Sequence, residues 1–181
     1  MDAFATLLQE ATQRVGETYF QLPVAGQEDP IYRERVYCYE LYHQLRTLWP
    51  PDSRYSLCGE VDKMNHPLIR GNNLDDTKPD FLVHVPGRLE NAVVMEVKPA
   101  NARPDRIEKD LKTLTAYRRL AGYAAAYLLV YGHFDDLARG VRDVEAAHVG
   151  RGQEAEIDLS LIDLWHHEAP GSPAYSVAWD S

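Results

Sequence analysis

PDFLVHVPGRLENAVVMEVKP, residues 79–99, holds two apolar runs separated by a turn. Phe81–Val85 is rich in β-formers and closes at Pro86-Gly87, and Ala92–Val97 is a near-continuous Val/Met run ending before Pro99. With Pro86–Asn91 as the connection, the pair reads as an antiparallel hairpin. Strand side chains alternate faces, so Glu96 and Lys98 share one face and Val97 takes the other. Asp80, at the start of the first run, then approaches Glu96 at one end of the hairpin. Two carboxylates and one ammonium meet on a small patch.

Outward from the hairpin, Tyr55–Val61 predicts a preceding strand, followed by a long polar loop from Asp62 to Lys78. Before these, Ile31–Trp49 reads as a helix with the apolar stripe Tyr37, Leu41, Leu45 and Leu48, stopped by Pro50-Pro51. A shorter N-terminal helix carries Phe4, Leu7, Leu8, Ala11 and Val15. After the hairpin, Pro104 and Asp105 suit the first turn of a helix that buries Ile107, Leu111, Leu114 and Ala121 and stops at Gly122. Ala124–Tyr131 is apolar throughout and reads as a strand buried on both faces. A helix opening at Asp135 or Asp136, a strand over Glu156–Leu164 and a last strand near Tyr175–Trp179 complete the reading. The expectation is a single α/β domain over 1–181. Its core of about 31–131 has the order α-β-β-β-α-β, with a mixed sheet flanked by helices and a peripheral extension over 132–181.

The whole chain sets bounds on function. At 181 residues with 45% hydrophobic content it has the length and composition of one globular domain. No apolar run approaches the roughly 20 residues of a membrane span, and the first residues lack the pattern of a signal peptide. Two cysteines, Cys38 and Cys58, without a CxxC pair or disulfide framework, predict buried thiols in a reducing, cytoplasmic setting. The net charge of −9 runs against broad binding to phosphates, so nucleic-acid contact must be local or lean on a metal or partner.

The chemistry rests on Asp80, Glu96 and Lys98. Their carboxylates are hard oxygen donors of the kind Mg²⁺ or Mn²⁺ takes. Such an ion activates water and neutralises charge on a phosphoryl group in transit, with Lys98 placed to act on the water or the developing charge. Each residue also has an ordinary reading: Asp80 as a turn residue after proline, Glu96 and Lys98 as a solvated strand end. The apolar Ala92–Met95 run counts against the second, because an ionisable pair at the end of a buried strand needs partners. His66, His133 and the pair His166-His167 show no metal-site spacing and read as surface or loop residues. Arg118-Arg119, with Lys109 and Lys112, reads as a solvated helix face or a small phosphate-contacting patch.

The grouping Pro79-Asp80 followed by Glu96-Val97-Lys98, within that element order, resembles the PD-(D/E)XK nuclease superfamily of restriction endonucleases, RecB-type nucleases and junction resolvases. The resemblance implies a restriction-endonuclease-like fold and metal-dependent phosphodiester hydrolysis, of DNA rather than RNA, in DNA processing or phage defence. It also implies a third acid from the helix before the sheet, for which Glu40 is the candidate, with Glu60 or Asp62 as alternatives. Lys109 or Lys112 fills the place of a polar residue on the following helix. Threonines in Thr113-Leu114-Thr115 stand where RecB-type members often have glutamine, which turns the resemblance away from that branch. Duplex cutters of this kind often act as homodimers. The contrasting expectation, favoured by the acidic charge, is a non-catalytic module that keeps such a fold to bind a protein partner.

Overall fold

The computed structural model describes residues 3–59, 74, 77–133 and 156–179. Helix α1 (Ala3–Gln13), the single turn α2 (Glu17–Phe20) and helix α3 (Glu34–Leu48) precede β1 (Ser56–Gly59), β2 (Phe81–His84) and β3 (Asn91–Pro99). Helix α4 (Pro104–Leu120), β4 (Ala125–Tyr131), β5 (Asp163–His167) and β6 (Tyr175–Val177) follow. The six strands form one mixed sheet in sequence order. β2 pairs antiparallel with both β1 and β3, β3, β4 and β5 run parallel, and β6 turns back antiparallel to β5. From α3 to β4 the order is the α-β-β-β-α-β predicted above.

The alternation within β3 sorts the core into two layers. Val93, Met95 and Val97 face α1 and α3, where Leu8, Tyr37, Leu41 and Leu45 are fully buried. Val94 faces the other way with Leu82, Leu128 and Val130, against Ile107, Leu111 and Leu114 of α4. Each fully buried Leu contributes about 1.5–3 kcal/mol by leaving water, so both helices are held by their stripes rather than by their caps. Indeed neither α3 nor α4 has a side-chain N-cap bond. Pro104 starts α4, and Gly122, at φ +66°, ends it in the left-handed conformation.

Four expectations are corrected. The stretch read as a strand over Glu156–Leu164 begins with a 3₁₀ turn at Leu159–Leu161, and the strand runs over Asp163–His167 instead. The C-terminal part is not peripheral to the sheet: β5 pairs with β4, and Trp165 lies in the core beside α1 and α3. His166 and His167 are not surface residues but fully buried in β5. Three of their four ring nitrogens have partners: His166 lies 2.7 Å from the Gly132 carbonyl and 2.9 Å from the Tyr175 hydroxyl, and His167 Nδ1 lies 2.7 Å from the Tyr37 hydroxyl. Burial lowers both pKa values, that of His167 to about 4, so both rings are neutral at pH 7. Cys38 is buried as expected, but Cys58 is only half-buried. The helix expected from Asp135 or Asp136, and Glu60, Asp62 and His66, lie outside the described residues. Among the described residues no helix is long and apolar enough to cross a membrane.

Candidate active site

The register of the hairpin fixes the site. Phe81 pairs with Met95, so the ladder extended by one step sets Asp80 opposite Glu96. Asp80 follows the alternation of Leu82, and Glu96 and Lys98 that of Val94, so all three belong to the face that α4 covers. Asp80 does not wait in solvent. Its Oδ2 accepts a 2.8 Å hydrogen bond from the Val97 amide, which the sheet leaves unpaired just beyond the end of β2. Asp80 and Glu96 lie within hydrogen-bonding reach of each other.

Two acids absent from the sequence reading complete the cluster. The Lys98 ammonium lies 2.9 Å from Asp110 Oδ2 on α4 and 3.1 Å from Glu34 Oε2 on α3. Its third contact is a 3.0 Å bond to its own neighbour's carbonyl, Val97 O. Lys98 is thus clamped between the two helical layers at the end of the sheet, with 6% of its surface exposed. The third acid is Glu34 and not Glu40. Glu34 lies three, four and seven residues before Tyr37, Cys38 and Leu41, on the helix stripe that faces the sheet. Glu40 lies off that stripe and accepts a 2.7 Å hydrogen bond from Gln44 one turn on. Asp110 shows the same logic on α4: it lies three residues after Ile107 and four before Leu114, within the buried face. A carboxylate interrupting an apolar stripe was the available signal for both.

Four carboxyl groups therefore gather about one ammonium, and burial shifts three of them, Asp80, Glu96 and Asp110. Burial is the largest influence on Asp80, raising it to about 6 despite the opposing pull of Lys98 and the Val97 amide. Glu96 is pushed well above the carboxylate range, first by burial, then by repulsion from Asp110 and Asp80. Burial also raises Asp110, with Lys98 working against it. Burial pulls Lys98 down, but Asp110, Asp80 and Glu34 outweigh it and hold the ammonium above its ordinary value. Lys98 is charged at every ordinary pH, and burial and mutual repulsion both work against ionising Asp80 and Glu96 together.

The cluster floors a cavity of about 450 Å³ whose wall includes Thr77 and Thr113 and whose rim carries Lys78, Arg103, Arg106 and Lys109. Lys109 stands where the sequence suggested a basic residue. Lys112 does not reach this cavity: it is bound to Glu108 at 3.1 Å and Glu156 at 2.9 Å. Arg119 is likewise paired, with Asp158 at 2.7 Å, and Arg118 donates to the Tyr123 carbonyl beyond the end of α4. The basic patch read over Arg118-Arg119 and Lys112 is therefore spent on structural contacts, and the cations that α4 gives the cavity, Arg106 and Lys109, lie on its first half. No protein-family model, curated protein or solved structure matches this chain at a significant level.

The donor set fits a hard divalent ion in part. Among the described residues no three acidic, histidine or cysteine side chains form a ready-made metal cage. Mg²⁺, however, commonly takes one or two carboxylates and keeps its waters. Asp80 and Glu96 supply such a pair.

Proposed function

We propose that this chain is a Mg²⁺- or Mn²⁺-dependent phosphodiesterase acting on nucleic acid, DNA in the first place, with the restriction-endonuclease-like arrangement of the PD-(D/E)XK superfamily. The observation that carries the reading is the meeting of Asp80, Glu96 and Lys98 on one face, in register, under a cavity with a basic rim. A buried acid cluster repels a phosphodiester unless a cation neutralises it, so the cavity's rim and floor suit a common substrate only with metal present.

Asp80 and Glu96 would hold the ion, which supplies positive charge against the phosphoryl oxygens and acidifies the attacking water. Lys98 stabilises charge developing on the phosphate or orients the water. All three of its hydrogens are engaged, by Glu34, Asp110 and the Val97 carbonyl. Glu34, whose side chain is 35% exposed against 10% for Asp110, is the contact that yields when a substrate oxygen competes. Asp110 remains the anchor. Arg106 and Lys109 at the mouth meet the substrate's phosphates, and Thr77 and Thr113 offer hydroxyls between rim and floor.

The test is cleavage of single-stranded and duplex DNA and RNA with Mg²⁺ or Mn²⁺ at low salt, wild type beside Asp80→Ala. Metal-dependent cleavage lost in the variant supports the reading. No wild-type cleavage on any substrate, with the fold intact, transfers the assignment to a binding module. Calorimetric titration with Mn²⁺ provides an independent check. Binding is expected in the wild type, little in Asp80→Ala, and stronger as pH rises through about 6, because Asp80 must release its proton to bind. Equal binding by both proteins assigns the ion elsewhere.

A paired substitution separates the two helical acids. Glu34→Ala is expected to lower cleavage by roughly 10–100-fold, the usual cost of losing a group that positions a site residue. Glu40→Ala is expected to leave it unchanged, since Glu40 touches Gln44 and not the cluster. The reverse order of effects would restore Glu40 to the site.

A further inference from the structure

Beside the acid-floored cavity along α4 is a second cavity of about 450 Å³, and Thr77, Lys109 and Thr113 line both. The two differ in chemistry. The first is walled by charge, whereas the second adds the apolar side chains of Leu74, Ala116 and Leu120, with the ion-paired Lys112, Glu156 and Arg119 beside them. Arg103, Arg106 and Lys109 recur at every third residue of the chain leading into and along α4, a row of cations over about 9 Å at the helical rise of 1.5 Å per residue. Arg103 is partly occupied by Asp105 at 2.7 Å, so Arg106 and Lys109 carry the row toward the second cavity.

We propose that α4 is the track of a single nucleic-acid strand, with one phosphate over the acid cluster and the adjoining nucleotide's sugar and base in the apolar cavity. The proposal rests on the phosphodiesterase reading and deepens it by assigning the substrate's strandedness. Two physical reasons favour one strand over a duplex. A base can enter the apolar cavity only if it is unpaired, and extracting one from a duplex costs a few kcal/mol. The reacting groups also lie at the bottom of the cavity, Glu96 and Asp110 being 6% and 7% exposed, so the phosphate must come to them on a flexible backbone. The chain's net charge of −9 adds to this by repelling the denser charge of a duplex more strongly.

The experiment measures anisotropy of a labelled DNA strand of about ten nucleotides, and of its duplex, against the full chain in Ca²⁺ over a salt series. The wild type is expected to bind the strand roughly tenfold or more tightly than the duplex, with a salt slope near −2, the value for about three phosphate contacts. Arg106→Glu and Lys109→Glu, both at exposed positions, are each expected to weaken strand binding about tenfold and flatten the slope by about 0.7 or more. Leu120→Glu, at a residue 48% exposed, is expected to weaken strand binding several-fold. Mn²⁺-dependent hydrolysis of bis(4-nitrophenyl) phosphate, a small diester with a single phosphate, is measured on the wild type beside the binding series. Duplex binding equal to strand binding, indifference to Lys109→Glu, or no binding by a protein that hydrolyses the small diester would each overturn the track. Strand binding with this pattern, in a protein that does not hydrolyse the small diester, would leave the track standing and remove the phosphodiesterase reading instead.

Discussion

Replacing Lys98 with Met is expected to abolish metal-dependent cleavage and, at neutral pH, to destabilise the metal-free protein by about 3–5 kcal/mol. Methionine keeps most of the lysine's length and leaves out the charge, so packing against α4 changes little. What is lost is the one cation set between Asp110 and Glu34 at 2.9 and 3.1 Å, within reach of the field of Asp80. Removing one partner of a buried ion cluster leaves the others uncompensated, and they respond by holding protons more firmly. The destabilisation should therefore shrink as pH falls toward 5 and the acids protonate on their own. Mn²⁺ in excess should recover part of the lost stability, since it supplies the missing charge and binds only the folded state. Thermal melts across pH, with and without Mn²⁺, and a cleavage assay measure all three effects. A variant that melts like the wild type at pH 7 would show that Lys98 is not the cluster's counter-charge. One that still cleaves would move the chemistry away from Lys98.

Of the two roles proposed for Lys98, the chemical one was legible in the sequence and the structural one, as counter-charge to Glu34 and Asp110, was not. The hairpin could be read because Phe81–Val83 and Ala92–Met95 are apolar runs, its turn carries Pro86 and Gly87, and the 80-to-96 spacing suits an antiparallel register with the acids opposed. α4 could be read from Pro104, its stripe and Gly122. Glu34 and Asp110 escaped because a polar residue on a helix is ordinarily assigned to the wet face. Each instead falls on the apolar stripe, where the Lys98 ammonium accounts for it. The same habit of reasoning misplaced His166 and His167. They are tolerable in the core only because burial keeps them neutral and Tyr37, Tyr175 and the Gly132 carbonyl bind their ring nitrogens, partners 34 or more residues away in two of three cases. Gly132 itself marks the limit of local reading. At φ +127°, a Cβ there would come within 2.9 Å of Ala100 and 3.0 Å of the Tyr32 hydroxyl, a constraint set by three segments that no single window of sequence brings together.

Glu96→Gln is expected to stabilise the metal-free protein while eliminating its activity, and this opposition bears most directly on whether the cluster was built for a cation. A carboxyl whose pKa is raised by folding keeps its proton in the native state over a window where the unfolded chain has already released it. The native state binds more protons there, so unfolding free energy falls as pH rises from the unfolded value to the folded one. For Asp80 that window runs from 3.8 to about 6, a difference worth about 3 kcal/mol at neutral pH on the scale of 1.4 kcal/mol per unit. Glu96, more deeply buried, is shifted in the same direction. Glutamine has nearly the same shape, needs no proton to be neutral, and offers its amide to the Asp80 carboxylate. The substitution should thus remove the cost of burying Glu96 and relieve the repulsion on Asp80 together. A gain of about 1–3 kcal/mol at pH 7–8, or roughly 3–10 °C in melting temperature for a chain of this size, is the expected result. The gain should vanish near pH 4, where Glu96 and its unfolded counterpart are both largely protonated. In Mn²⁺ the order should reverse, because only the wild type recovers its electrostatic cost through binding. A variant less stable than the wild type at every pH would make Glu96 a structural hydrogen-bonding carboxyl. A variant that kept both its Mn²⁺-induced rise in melting temperature and its cleavage would take the ion away from Glu96 altogether.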